Sequence, residues 1–193
     1  MLELHSKFAT RVAELIDRLA RVTRELQFCD GLNPAQWEAL RFISRANRYS
    51  STPSGLAEFL GTTKGTASQT LIALEGKGYI ARTRSDADKR QISLTLTPAG
   101  EALLGQDPIV SIETAADTMP ADQAETLVRG LTRLLHDLQQ RHGIKEFGVC
   151  ADCTLSCITP PETVAAECSV TGEKLTVEDS NRICINFQRA PAE

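Results

Sequence analysis

The strongest constraint on this chain lies between residues 53 and 96, where punctuation and periodicity change three times within 44 positions. Ser50-Ser51-Thr52-Pro53 breaks one helical pattern and starts a short helix over about 53–60, which Gly61 closes. Thr62 or Thr63 then caps a second helix running to about residue 77, and Gly78 ends it. Two short helices across a Gly-Thr-Thr turn make a helix-turn-helix signature. Ile92, Leu94 and Leu96 alternate with Ser93 and Thr95, which is strand periodicity, and a polar stretch over 85–90 separates them from a second strand over about 80–84. Helix, turn, helix and charged hairpin, in that order, specify far more than any one of them alone.

The flanks are helical. Phe8, Val12, Leu15, Ile16, Leu19, Val22 and Leu26 recur at helical spacing through the first 27 residues. Asn33-Pro34-Ala35-Gln36 carries a capping residue, a first-turn proline and a glutamine placed to close a capping box, with Trp37, Leu40 and Ile43 as the inner face. Thr97-Pro98 starts another helix, which Pro108 limits or kinks. A long helix over about 120–142 bears the stripe Leu127, Leu131, Leu134, Leu135 and Leu138 and ends at Gly143. The expected fold is mainly α with a small β-wing: a winged helix-turn-helix, a helical dimerisation region and a short Cys-rich, metal-stapled tail. The expected divisions are an N-terminal dimerisation helix over 1–30, a DNA-binding domain over 31–100, dimerisation helices over 101–143 and a metal-binding extension over 144–193.

On the second helix of the pair, Ala67, Leu71 and Leu74 fall on one side and must pack inward. Gly65, Gln69 and Ala73 fall opposite, with Thr66 nearby. That outer face is small and polar. Gln69 suits an adenine edge, Thr66 several base edges, and Lys64 and Ser68 suit phosphates. The hairpin adds Arg82, Arg84, Lys89 and Arg90 for backbone or minor groove. Asp86 and Asp88 are expected to hold the turn and orient an arginine.

Charge is divided in the same sense. Residues 1–100 hold 14 Lys+Arg against 10 Asp+Glu, a balance of +4, while residues 101–193 hold 7 against 15, a balance of −8. One half suits a polyanion and the other avoids it. No run reaches the length of a membrane span and no secretory leader is read, so the expectation is a cytoplasmic protein without a membrane partner. His5, His136 and His142 have no companion motif, and no phosphate loop, dinucleotide fingerprint or zinc-protease motif is present. An enzyme is not expected.

Leu56-Ala57-Glu58-Phe59-Leu60, Thr63-Lys64-Gly65-Thr66-Ala67-Ser68, Leu74-Glu75-Gly76-Lys77-Gly78-Tyr79-Ile80, Asp86-Ala87-Asp88-Lys89-Arg90 and Leu96-Thr97-Pro98-Ala99-Gly100 together resemble the MarR (multiple antibiotic resistance regulator) family over about residues 5–142. The Asp-x-Arg at Asp88 and Arg90 matches that family's wing signature. The resemblance implies a homodimer with intertwined first and last helices, and a pseudo-palindromic operator on double-stranded DNA, commonly bound as a repressor. It also implies a small-molecule effector or an oxidisable cysteine near the first helix, where Cys29 lies; a lone cysteine is more often a packing residue.

The other five cysteines fall in the last 44 residues as Cys150-x2-Cys153-x3-Cys157-x10-Cys168-x15-Cys184. A local cluster in a cytosolic chain points to metal rather than to disulfides. One C-x2-C followed by two widely spaced cysteines resembles high-potential-type iron–sulfur spacing. That favours Cys150, Cys153, Cys168 and Cys184 as ligands of a 4Fe–4S cluster, with Cys157 as an alternate ligand, zinc as the alternative and surplus thiols as the third reading. The tail looks too polar for a core of its own. Loss of a cluster would be expected to loosen the tail, shift the dimer and change the spacing of the heads. Competing readings are a small redox or electron-transfer protein, and a protein-interaction module using the helix-turn-helix for protein contacts.

Overall fold

The structure is a computed structural model that describes residues 2–84, 92–157, 167–172 and 174–189, with backbone alone at 2–6, 151, 156 and 157. The elements in chain order are α1 (Leu2–Leu26), α2 (Pro34–Arg45), α3 (Pro53–Phe59), α4 (Lys64–Gly76), β1 (Ile80–Arg84), β2 (Ile92–Leu96), α5 (Pro98–Leu104), α6 (Val110–Asp117) and α7 (Ala121–His142). The tail adds a 3-10 turn (Cys150–Asp152), β3 (Ser156–Cys157), β4 (Glu167–Cys168) and α8 (Val177–Ser180).

Helix starts follow the expected chemistry. The Asn33 side chain accepts from Gln36 N at 3.0 Å, and Asn33 N donates to Gln36 Oε1 at 3.2 Å, so the capping box is complete. Thr52, Thr63 and Thr97 cap α3, α4 and α5 in the same way. Gly143 stops α7 at φ 61°, a conformation open to glycine without strain.

The core belongs to the head. Trp37, Leu40 and Phe42 of α2, Leu56 of α3, Ala67, Leu71 and Leu74 of α4, Ile80 of β1 and Leu94 of β2 are all buried together. β1 and β2 pair antiparallel, with Arg82 opposite Leu94 and Arg84 opposite Ile92. Gly100 sits where a Cβ would lie 2.1 Å from Tyr79 O, so α5 crosses the end of β1 at backbone contact. Arg41 of α2 forks onto Asp107 at 2.7 and 3.2 Å and also donates to Gln27 at 2.8 Å, tying the end of α1 and the α5–α6 connection to the head.

Two expectations need correction. The helix begun at Thr97-Pro98 ends at Leu104, four residues before Pro108, so it is shorter than the proline alone required. The Asp107 carboxylate accepts from Ile109 N at 3.0 Å and restarts the chain as α6. The tail, in turn, has apolar support. Leu175 and Phe187 are buried, and Ile183 and Ile185 pack against the head core. Ile183 and Ile185 find their partners on another part of the chain, so they need show no periodicity of their own.

The long helices are the opposite case. Phe8, Val12, Leu15, Leu19, Val22 and Leu26 of α1 are exposed, as are Leu127, Leu131, Leu135 and Leu138 of α7. No helix is long and apolar enough to cross a membrane, among the described residues.

Candidate nucleic-acid interface and cysteine centre

Three buried side chains hold α4 down, so its opposite face is free. Lys64, Thr66 and Gln69 are exposed, and Ser68 is half-buried. The Thr63 hydroxyl accepts from Thr66 N at 3.1 Å and stands 2.9 Å from the Thr66 hydroxyl. Thr66 therefore shares its oxygen with the cap, whereas the Gln69 amide is exposed and has no hydrogen bond among the described residues. The first turn of α4 also presents backbone N–H groups and the positive end of the helix dipole beside Lys64, a setting that favours phosphate oxygens.

The wing does not present its arginines equally. Arg84 is exposed. Arg82 lies back along the head, its Nε 3.1 Å from Glu75 Oε2 near the end of α4, with its side chain 22% exposed. The approach is an ion pair whose angle falls short of a hydrogen bond. Arg82 thus braces the wing against the reading helix. Sequence reasoning missed this pair, although an acid at the end of α4 facing a basic strand was its available signal. Asp86, Asp88, Lys89 and Arg90 lie outside the described residues.

Among the four favoured cysteines, Cys150 is the one the others act on. Cys150 is buried in the 3-10 turn, and its thiol is pushed up to about 11, by burial first and then by Cys184, Cys153, Cys168 and Asp179. All three other thiols therefore lie within electrostatic range of Cys150. Three of the sulfurs also receive backbone donors. Asn186 N donates to Cys184 Sγ at 3.4 Å and Gln188 N to Cys153 Sγ at 3.5 Å. Burial pushes Cys168 up, but backbone N–H groups of Thr171 and Val170 and the Thr171 hydroxyl outweigh it and hold the thiol below its usual value. Backbone pairing sets the frame: Gly148 bridges Cys184, Cys153 bridges Arg189, and Ser156 pairs with Cys168. Among the described residues these thiols are not in disulfides, and no group of three or more His, Cys, Asp or Glu is arranged to hold a metal ion. The Cys157 side chain lies outside the described residues; its backbone pairs with Glu167.

Cys29 is half-buried against the head core, and its thiol is raised by burial first and then by Asp30. His136 Nδ1 stands 2.8 Å from Glu146 Oε1, a carboxylate also bound by Arg189 and Gln140. It serves to attach the tail to α7.

Residues 30–91 match the MarR family model. The chain is 29% identical over 116 residues to the transcriptional repressor MprA of Escherichia coli K12, a match covering 57% of this chain and 66% of that protein. It is 33% identical over 76 residues to the HTH-type transcriptional repressor YetL of Bacillus subtilis, covering 39% of this chain and 46% of the relative. Among solved structures it resembles Streptococcus pneumoniae FabT in complex with DNA, at a TM-score of 0.57 and 23% identity, covering 70% of this chain and 98% of that one. The head of this chain therefore has the winged-helix fold, and residues 30–91 are similar to the MarR family. The family match ends at residue 91 and leaves the tail outside it.

Proposed function

We propose that the chain is a DNA-binding transcription regulator, a repressor acting as a homodimer, whose affinity for its operator is set by a metal centre in the cysteine tail. The observation that carries the DNA reading is the free outer face of α4, with Lys64, Thr66 and Gln69 exposed beside a wing braced by Arg82. An exposed polar reading helix of this kind enters a major groove, while Arg84 and the wing follow the backbone. The FabT neighbour, whose solved structure contains DNA, supports this use of the fold, as do the repressor names of MprA and YetL. The reading is of a regulator, not an enzyme.

The homodimer rests on the exposed stripes of α1 and α7. Apolar faces of this length on two amphipathic helices need a cover, and a second copy supplies self-complementary stripes. A two-fold dimer then presents two reading helices to two half-sites. A small-molecule effector would find a cleft of about 700 Å³ between α2, β2, α5 and α8, lined by Arg48, Leu94, Glu101 and Arg182 among others.

For the tail, Cys150, Cys153, Cys168 and Cys184 would hold the metal centre, with Cys157 as an alternate ligand. The support is the reach of the other three thiols to Cys150 and the backbone donors aimed at three of the sulfurs, which at Cys168 hold the thiol below its usual value. A 4Fe–4S cluster is the favoured occupant and zinc the alternative. Such a centre would supply positive charge favouring thiolates and would tie Cys150, Cys153, Cys168 and Cys184 together.

The test is selection of sites from randomised DNA duplexes by the full chain, with metal analysis and a visible spectrum of anaerobically prepared protein. Recovery of a two-fold-symmetric site supports the regulator; no enrichment contradicts it. Iron and sulfide with absorbance near 400 nm support the cluster, a zinc-loaded colourless protein selects zinc, and a metal-free chain contradicts the centre.

A further inference from the structure

We propose that residues 182–185 form a strap that carries the state of the cysteine centre directly to the DNA-reading head. The inference rests on the metal reading above and adds the route of the signal.

The strap runs between two bodies. Ile183 N donates to Arg45 O at 2.7 Å and Asn47 N donates to Ile183 O at 2.9 Å, a parallel bridge to the chain leaving α2. Ile185 N donates to the Ser50 hydroxyl at 3.0 Å, and Arg182 donates to Ser44 O at 3.3 Å. Extended chain alternates its side chains, and this segment follows that rule. Ile183 and Ile185 pack on the head core, while the residue between them, Cys184, is buried and bridges Gly148, two residues before Cys150. A ligand of the proposed centre and two attachments to the head are therefore consecutive residues.

The attachment point is the joint of the head. Ser50 is fully buried, and helix α3 approaches it so closely that a Cβ on Gly55 would lie 2.1 Å from Ser50 O. The next residue holds the wing: Leu94 N donates to Ser51 O at 2.8 Å, and the Ser51 hydroxyl donates to Leu94 O at 2.7 Å. From Cys184 the path runs through Ile185 N, Ser50 and Ser51 to strand β2, with a hydrogen bond or a covalent step at each stage. A ligated Cys184 holds the strap in register and fixes the start of α3 and the wing in one arrangement. Release of Cys184 frees the strap, and the reading head loses a brace that preorganises it for DNA. This route is shorter than one through the spacing of two heads in a dimer, and it operates within a single chain.

The experiment uses the full chain, metal-loaded and then stripped by a chelator under anaerobic conditions. Amide hydrogen exchange is followed at Ile183, Ile185 and Leu94, and affinity is measured for the selected duplex. Stripping is expected to speed exchange at all three amides and to weaken duplex binding by about tenfold or more, within the range of ordinary coupling between sites. Ser50→Ala should weaken binding of the loaded protein while leaving its metal content unchanged. Metal that binds and leaves with Leu94 exchange and duplex affinity unchanged, or with tighter binding after stripping, overturns the strap while leaving the metal reading intact. A chain that takes up no metal overturns both. A chain that selects no duplex removes the DNA reading, and the exchange of Leu94 then decides the strap by itself.

Discussion

Ser51 and Leu94 exchange two hydrogen bonds, from Leu94 N to Ser51 O at 2.8 Å and from the Ser51 hydroxyl to Leu94 O at 2.7 Å. Residues 43 apart in sequence thereby fix the wing to the turn before α3. Ser51 is buried, so water cannot replace the lost donor in Ser51→Ala. The substitution should cost about 1–3 kcal/mol of stability, read as a lower denaturant midpoint at unchanged slope.

The Arg41–Asp107 pair is the most enclosed ion pair among the described residues, at 15% and 7% side-chain exposure. Removing one partner strands the other charge. Arg41→Met should destabilise the chain by about 3 kcal/mol, measured by urea unfolding. An unchanged midpoint would show that the pair does not tie α2 to the α5–α6 connection.

Glu146 predicts a pH effect. Burial raises its carboxyl, but hydrogen bonds from Arg189, Gln140 and His136 outweigh that and hold it below the usual 4.5. A depressed folded-state value means that the stabilisation is fully present above about pH 4.5 and is lost as pH falls through the lower, folded value. Attachment of the tail to α7 should therefore weaken only in acid below that point. Hydrogen exchange at residues 187–189 between pH 7 and pH 3.5 checks it, and Glu146→Gln should abolish that pH dependence.

The head was legible because its punctuation is local. Asn33 with Gln36, Thr63 and Thr97 cap where the sequence predicts, since a cap depends on residues three positions apart. The buried stripe Ala67, Leu71 and Leu74 follows from helical periodicity alone. Contacts between distant segments were not legible. Ile183 and Ile185 are isolated apolar residues in a polar tail, and only the folded chain shows that they pack on the head. Arg82 reads from sequence as a backbone or minor-groove contact, and its approach to Glu75 Oε2 at 3.1 Å has no local signal strong enough to find it. Spacing alone makes Cys150, Cys153, Cys168 and Cys184 a candidate set, yet the N–H donors from residues 170, 171, 186 and 188 carry no sequence signature, because backbone amides donate regardless of side chain.

Reading of DNA by α4 is tested by equilibrium binding of the full chain to its selected duplex across a salt series. Gln69→Ala should cost about 1–3 kcal/mol and relax preference at one base position, while Lys64→Ala should weaken binding evenly across sequences and lower the salt slope by about one. Unchanged affinity, base preference and salt slope in both variants would contradict the account.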